Sequence, residues 1–235
     1  MSRNPFPGAN LLPILRPQQW RGGESALRTR LIRTDETLQH NLWVSFAYTT
    51  DDKLYTVTKE SLKAHQQKGQ DIVIDALNNL NELPLEWAVH TRSDDGQAKV
   101  LICEHEYAAE SILLPTHLTE AQAMLGVHEI AIAIPVAGCA IVQAAHVAHR
   151  QELDQLMAWA HQTYMTSDGR TLTPNLITAQ MGQIRSMYCN PLVDQNTTSE
   201  HGLVPVDYDE STQRVTFRAN ESELALWEVH RIQNL

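Results

Sequence analysis

One order of elements recurs three times between residues 42 and 167, and it restricts the fold more than any other feature. Each time, two short segments rich in β-branched and apolar residues flank a polar or glycine-containing turn. A segment with helical spacing of its apolar residues follows. Such a pattern predicts a β-hairpin and then a helix. Hairpin strands pair antiparallel, so we expect an α+β fold. Its antiparallel-rich sheet is built from successive hairpin–helix units, with helices mainly on one face.

The first unit starts with the apolar segment Leu42–Tyr48 and returns as the alternating segment Leu54–Thr58. Thr58 has the side chain of a good N-cap, so a helix is predicted directly after it. Gly69 interrupts the helical spacing, and the helix is expected to resume over Ile72–Leu83.

The second and third units have the same order of elements. The second unit is predicted as strands Leu85–Arg92 and Ala98–Glu104, followed by a helical segment over Ala108–Leu125 that breaks near Pro115. The third is predicted as strands Glu129–Pro135 and Cys139–Ala145, and its helix begins at Ala148 and ends near Asp168.

The rest of the chain is expected to frame these units. Residues 1–23, rich in proline, predict an irregular N-terminal arm, and residues 24–167 form the main body, which opens with a helix over 24–39. Residues 168–235 form a C-terminal extension packed on the body. There we expect a loop with one short helix near 179–187, then the strand pair Leu203–Val206 and Arg214–Arg218. A helix opened by Asn220 closes the chain.

The formal charge is −10 with the histidines neutral, which makes a nucleic-acid partner unexpected because an acidic surface repels phosphates. The one basic cluster, Arg21, Arg28, Arg30 and Arg33, is interpreted as the solvated face of the first helix. A base-stacking platform needs exposed aromatic side chains among basic ones, and no such grouping is visible in the sequence. No segment reaches the roughly 20 apolar residues of a membrane span. The three scattered cysteines favour free thiols in a reducing compartment, so a cytoplasmic protein is expected.

No linear signature of a nucleotide-binding loop, a serine nucleophile or a zinc protease is present, so neither a cofactor nor an enzymatic activity is expected. Eleven histidines are the strongest chemical hint. His146 and His149, with Glu152, have the spacing of a metal set on one helix face, which keeps a metal-dependent hydrolase open as an alternative. Cys103 and His105 have the spacing of neighbours on one strand face.

Acidic residues concentrate in the predicted hairpin turns, where Asp also favours the backbone geometry for its own reasons. Because hairpin tips project, these residues are the predicted partner-binding set. They are Asp51, Asp52, Asp94, Asp95, Asp207, Asp209 and Glu210.

Part of the chain resembles a bacterial family of uncharacterised proteins, a domain of unknown function. The similarity spans about residues 42–145 and rests on the segments 54–62, Tyr107–Leu114 and Ile130–Pro135. After the proline that family usually carries an arginine–aspartate pair, whereas this chain has Val-Ala-Gly-Cys at 136–139. The resemblance implies the same order of elements and a bacterial cytosolic protein, and it implies no activity.

The sequence therefore favours a cytosolic interaction protein. An immunity or inhibitor protein that neutralises a basic toxin or enzyme is the leading example, because acidic surfaces accelerate association with basic partners. A metal-dependent hydrolase and a small-ligand-binding domain between sheet and helices are the alternatives.

Overall fold

The structure is a computed structural model that describes residues 10–23, 25–32, 40–50, 53–67, 69, 71–91, 99–145, 150–188, 203–209 and 214–219. For residues 150, 151, 203–209 and 214–219 it describes the backbone alone. The predicted closing helix, residues 189–202 of the loop predicted over 170–202 and the second half of the predicted first helix lie outside the described residues.

The N-terminal part of the chain forms a four-stranded antiparallel sheet in which β3 is central. β1 pairs with one side of β3, while β2 and β4 pair with the other side, one after the other. The strands are β1 (Asn10–Arg16), β2 (Arg28–Arg30), β3 (Trp43–Thr49) and β4 (Leu54–Thr56).

The second and third predicted hairpins join one six-stranded antiparallel sheet, which a fourth hairpin completes. Its strand order is β10-β9-β7-β8-β6-β5. The strands are β5 (Ala88–Thr91), β6 (Lys99–Glu104), β7 (Glu129–Val136), β8 (Cys139–Ala144), β9 (Leu176–Gln180) and β10 (Gln183–Tyr188). A separate pair, β11 (Leu203–Asp209) and β12 (Arg214–Ala219), is also antiparallel.

The helices follow the hairpins in the predicted order, and the α+β class is confirmed. Thr58 caps the first helix, since its hydroxyl accepts the Ser61 N–H at 3.1 Å. A 3₁₀ helix at Glu110–Leu113 precedes α3, which confirms the predicted break near Pro115, and the new helix starts at Pro115 itself. The helices are α1 (Lys59–Gln66), α2 (Ile72–Asn81), α3 (Pro115–Leu125) and α4 (Arg150–Thr166).

Side-chain alternation along the six-stranded sheet separates two hydrophobic clusters. Ile130 and Ile132 face a large cluster that also contains residues of α3 and of the four-stranded sheet. Ala131 and Ala133 face the opposite side, where α4 packs through Leu156. Each face of this sheet therefore carries a helix, and α4 lies on the face away from α3.

Three elements differ from the sequence prediction. The arm predicted as irregular contains β1, whose Ile14 and Leu15 are fully buried, and the described start of the predicted first helix contains the strand β2. The short helix predicted near 179–187 is wrong, because β9 and β10 form a hairpin there and extend the six-stranded sheet. The exact division into arm, body and extension stays a prediction.

Candidate functional site

The acidic residues predicted to bind a partner are mostly outside the described part of the chain. Asp51, Asp52, Asp94, Asp95 and Glu210 lie outside it, as do the alternative metal ligands His146 and His149. Asp207 and Asp209 lie within β11, whereas the sequence placed them in a turn. Their side chains are not described, so the acidic set stays a prediction.

Cys103 and His105 do not form the thiolate pair that their spacing allowed. Cys103 is buried, and burial raises the pKa of its thiol above the usual value, which opposes thiolate formation. The His105 Nδ1 accepts the Tyr107 N–H at 3.1 Å, so this ring nitrogen is engaged by its own loop. Within the described ranges, no group of three or more His, Cys, Asp or Glu side chains is arranged to hold a metal ion.

Five side chains at one end of the four-stranded sheet alternate between guanidinium and indole, and we call them the arginine–tryptophan ladder. The Arg16 guanidinium carbon lies 5.0 Å from a ring centroid of Trp20. That of Arg28 lies 5.9 Å from Trp20 and 4.4 Å from Trp43. That of Arg30 lies 4.7 Å from Trp43. All four distances are in the range of cation–π attraction.

Strand register assembles the ladder. Arg16 of β1 and Arg30 of β2 are both paired in register with Trp43 of β3, so the three residues form one row across the sheet. Arg28 precedes Arg30 by two residues and therefore lies on the same face of β2. Trp20 comes from the segment that follows β1.

Hydrogen bonds fix the ladder in place. One guanidinium nitrogen of Arg28, Nη1, donates to the carbonyl oxygens of Trp20 and Arg21, each at 3.0 Å. The Trp43 indole N–H donates to the Gln18 carbonyl at 3.2 Å. These bonds hold the segment after β1 against the sheet.

Gly22 lets the backbone pass next to the Trp20 ring. Its φ is +57°, a left-handed conformation that glycine adopts most readily. A Cβ at this position would lie 2.3 Å from the indole, closer than any real contact. A side chain here would displace the Trp20 ring and strain the backbone, so both space and conformation favour glycine.

Exposure decides what the ladder offers to solvent. Arg28 is exposed and the two tryptophans are half-buried, with guanidinium groups over their rings. The interpretation of Arg28 and Arg30 as part of a helix face was wrong, because residues 28–30 form a strand beside Trp43. Guanidinium N–H edges are the groups that such a stack presents to a ligand.

A buried carboxyl lies behind the ladder. Glu110 is fully buried, and its Oε1 accepts the Leu15 N–H at 3.0 Å and the Arg170 Nη2 at 2.7 Å. Burial raises the pKa of Glu110 to about 7, against the smaller lowering effects of Arg170, of the Leu15 N–H and of Arg16. Arg16 thus links the ladder to the buried carboxyl. It stacks on Trp20 and also interacts electrostatically with Glu110 and Arg170.

Backbone bonds position Arg170. Its carbonyl accepts the Ala137 N–H at 3.0 Å, and the Ala137 carbonyl accepts the Ala109 N–H at 3.0 Å. The turn after Pro135 therefore joins Ala109, at the start of the 3₁₀ helix of Glu110, to the loop of Arg170 through its main chain.

Comparisons with protein-family models, with curated proteins and with solved structures find no match to this chain. The resemblance over residues 42–145 therefore stays a hypothesis based on its motifs. Among the described residues, no helix is long and apolar enough to cross a membrane.

Proposed function

We propose that the protein is an interaction protein that binds an acidic segment of a protein partner on the arginine–tryptophan ladder. The observation that carries this proposal is the alternating stack of three guanidinium groups and two indoles at the end of the four-stranded sheet. Arg and Trp are the residue types that most often dominate the binding energy of protein interfaces.

The positive charges of Arg28 and Arg30 support an acidic partner. Within the described residues, Arg170 pairs with the Glu110 carboxyl, and no ion pair there includes Arg28 or Arg30. A planar guanidinium can donate two parallel hydrogen bonds to one carboxylate. Stacking on indole restricts the guanidinium plane, so less side-chain entropy is lost when the carboxylate binds.

The same stack argues for a protein over a single-stranded nucleic acid. Base recognition on aromatic side chains needs a free ring face, and guanidinium groups already lie over the rings of Trp20 and Trp43. The chain's net charge of −10 also opposes a long polyanion, whose charges extend beyond the ladder.

The proposal keeps the interaction-protein function inferred from the sequence, but it assigns binding to a different surface. The sequence placed the surface on acidic turns and expected a basic partner, whereas the arginine–tryptophan ladder is cationic and fits an acidic one. The narrower role of an immunity protein remains a hypothesis. The hydrolase alternative rests on His146 and His149, which lie outside the described residues.

Selection from a random peptide library displayed on phage tests the proposal with the full chain as bait. We expect the selected peptides to be enriched in Asp and Glu and to bind more weakly to Arg28→Lys and Arg30→Lys. Lysine keeps the charge but loses the planar fork, so a loss of about tenfold in affinity is expected. Lys59→Gln removes an exposed charge on α1 and should leave the affinity unchanged.

Three outcomes contradict the proposal. One is a peptide set without acidic enrichment. Another is that the peptides bind the two arginine variants as tightly as they bind the unmodified protein. The third is a labelled single-stranded oligonucleotide that displaces the peptides and itself binds more weakly to the arginine variants. That result would assign the ladder to nucleic acid.

A further inference from the structure

The outer edge of β2 is open among the described residues. There β2 pairs with β3 alone, with residues 28–30 opposite residues 43–45. Arg28 and Thr29 are exposed, as expected for residues at the rim of a sheet. An open strand edge is a template on which an extended segment of another chain can pair as a further strand.

The register of β2 shows which of its main-chain groups point outward. The Leu31 N–H donates to the Leu42 carbonyl at 2.9 Å, so these residues form a hydrogen-bonded pair. Hydrogen-bonded and non-hydrogen-bonded pairs alternate along an antiparallel ladder. Thr29 is therefore bonded to β3 like Leu31, whereas Arg28 and Arg30 are in non-hydrogen-bonded positions. Their N–H and C=O groups point away from β3, and within the described ranges no main-chain hydrogen bond uses them.

The same two residues carry positive charges of the ladder. Alternate residues of a strand face the same way, and at a rise of about 3.4 Å per residue they are about 7 Å apart. A strand that pairs with this edge places two of its residues directly opposite Arg28 and Arg30, on the same face of the sheet. Carboxylates at those two positions would each lie next to one guanidinium group. Opposite charges directly across a strand pair are stabilising, so the acidic residues are expected at positions i and i+2.

The Arg28 guanidinium is held in place and still has donors to offer. Its Nη1 donates to the carbonyl oxygens of Trp20 and Arg21, and its central carbon lies 4.4 Å from the Trp43 ring centroid. A guanidinium group has three further N–H donors on Nε and Nη2. For those of Arg28, the described part of the chain supplies no acceptor. A carboxylate that reaches this group therefore meets a pre-oriented donor.

We propose that an acidic segment of the partner binds as an added β-strand on the outer edge of β2, with carboxylates at two alternate positions opposite Arg28 and Arg30. The inference rests on the function proposed for the arginine–tryptophan ladder, and it adds the conformation and the charge spacing of the bound segment. Main-chain bonds to β2 provide affinity, and the two carboxylates provide selectivity. Charges on an edge strand also protect sheets against association, and if that were their only role no peptide would pair with β2.

Two peptides of the same composition test the spacing in a titration of the ¹⁵N-labelled full chain. The first is acetyl-Thr-Thr-Glu-Thr-Glu-Thr-Thr-amide, and the second is acetyl-Thr-Thr-Thr-Glu-Glu-Thr-Thr-amide. We expect the first to bind about tenfold more tightly, since adjacent carboxylates on a strand point to opposite faces. At saturation with the first peptide, the Arg28 and Arg30 amide protons should exchange more slowly with solvent. The Thr29 amide, which already faces β3, should not change.

Backbone methylation tests the main-chain bonds without changing a side chain. Residues directly opposite Arg28 and Arg30 form the hydrogen-bonded pairs, so N-methylation of either Glu in the first peptide removes a donor to β2. We expect this change to weaken binding about tenfold. N-methylation of the Thr between the two Glu residues is the matched control. Its N–H points away from β2, so the affinity should be unchanged.

The outcomes separate strand addition from the function proposed for the ladder. Strand addition is overturned if the two peptides bind equally, or if the N-methyl-Glu peptides bind as tightly as the control. If Arg28→Lys still weakens that binding, the ladder binds acidic segments and only the strand geometry is wrong. If neither peptide binds at millimolar concentration, both proposals are overturned.

Discussion

Arg170 donates to the carboxyl of Glu110 over 2.7 Å, and this pair ties the loop after α4 to an edge of the four-stranded sheet. The same carboxyl oxygen accepts the N–H of Leu15 in β1, the described edge strand. The carboxyl thereby takes the place of a neighbouring strand at this N–H. Its other oxygen, Oε2, has no partner among the described residues.

Glu110→Gln should change how stability depends on pH. Burial raises the folded-state pKa from 4.5 to about 7. Between these values the native state keeps a proton that the unfolded chain has released. The stability from this group is therefore complete below pH 4.5 and is lost as pH rises through 7. At about 1.4 kcal/mol per pH unit, the loss is on the order of 3 kcal/mol.

Urea unfolding at pH 5, 6, 7 and 8 measures this effect. The free energy of unfolding of Glu110→Gln, minus that of the unmodified protein, should increase as pH rises to 8. If breaking the contact with Arg170 costs free energy that does not depend on pH, that cost shifts every value equally and does not affect the trend. Glu60→Gln controls for the loss of one formal charge. A difference that does not vary with pH would show that Glu110 is not protonated in the native state.

His117→Phe should reveal a dependence of opposite sign. Burial lowers the folded-state pKa from 6.5 to about 4, so the unfolded chain binds a proton that the native state does not. The stability from this group is complete above pH 6.5 and is lost as pH falls through 4. Phenylalanine retains an aromatic ring where the His117 ring stacks on Trp87, and it does not titrate.

The variant should therefore lose less stability than the unmodified protein between pH 6.5 and 4.5, as thermal melting in matched buffers would measure. In the same interval the Glu110 contribution changes in the other direction, so the unmodified protein should show only a weak net dependence from these two groups. If the melting temperatures of His117→Phe and of the unmodified protein changed in parallel with pH, the lowered pKa of His117 would be refuted.

The sequence predicted three hairpins because each combines strongly apolar strands with local turn residues. It failed over residues 25–32, where Leu27 and Leu31 have near-helical spacing. In the structure the Leu27 N–H bonds to the Val57 carbonyl and the Leu31 N–H to the Leu42 carbonyl. Pairing with distant segments thus determined the conformation, and spacing within a short window does not report such pairing.

The ladder was missed for a related reason. Its members come from three segments of the chain, and only the register of β1 and β2 on β3 brings Arg16, Arg30 and Trp43 into one row. The hairpin of β9 and β10 was missed because its two-residue turn is Met181-Gly182, where such turns usually have Asn-Gly.

Met181→Asn should stabilise the protein. Met181 has φ +52° and Gly182 has φ +69°, so both turn residues are in the left-handed region. Asparagine tolerates this region better than methionine, and the Met181 side chain is 76 % exposed, so little packing is lost. We expect a gain of roughly 0.5–1 kcal/mol, visible as a higher melting temperature. An unchanged or lower melting temperature would contradict the turn geometry.

Gly182→Ala should be one of the most destabilising single-methyl changes in the chain, and Gly69→Ala provides its control. Both glycines have a similar positive φ, +69° and +71°, so the conformational cost of about 1 kcal/mol is shared. An added Cβ meets nothing within 4 Å at Gly69. At Gly182 it would lie 2.5 Å from the Thr119 hydroxyl oxygen and 2.8 Å from the Pro115 carbonyl oxygen.

The second contact is with backbone, so the hairpin of β9 and β10 must move away from α3. That movement also weakens the bond from the Gly182 N–H to the Gln122 side chain, now 3.0 Å long. We expect Gly182→Ala to cost about 2 kcal/mol more than Gly69→Ala in urea unfolding. The double variant Gly182→Ala, Thr119→Ala should recover only part of the lost stability, because the contact with the Pro115 carbonyl oxygen remains. Equal costs for the two single variants would show that the hairpin does not pack against the first turn of α3.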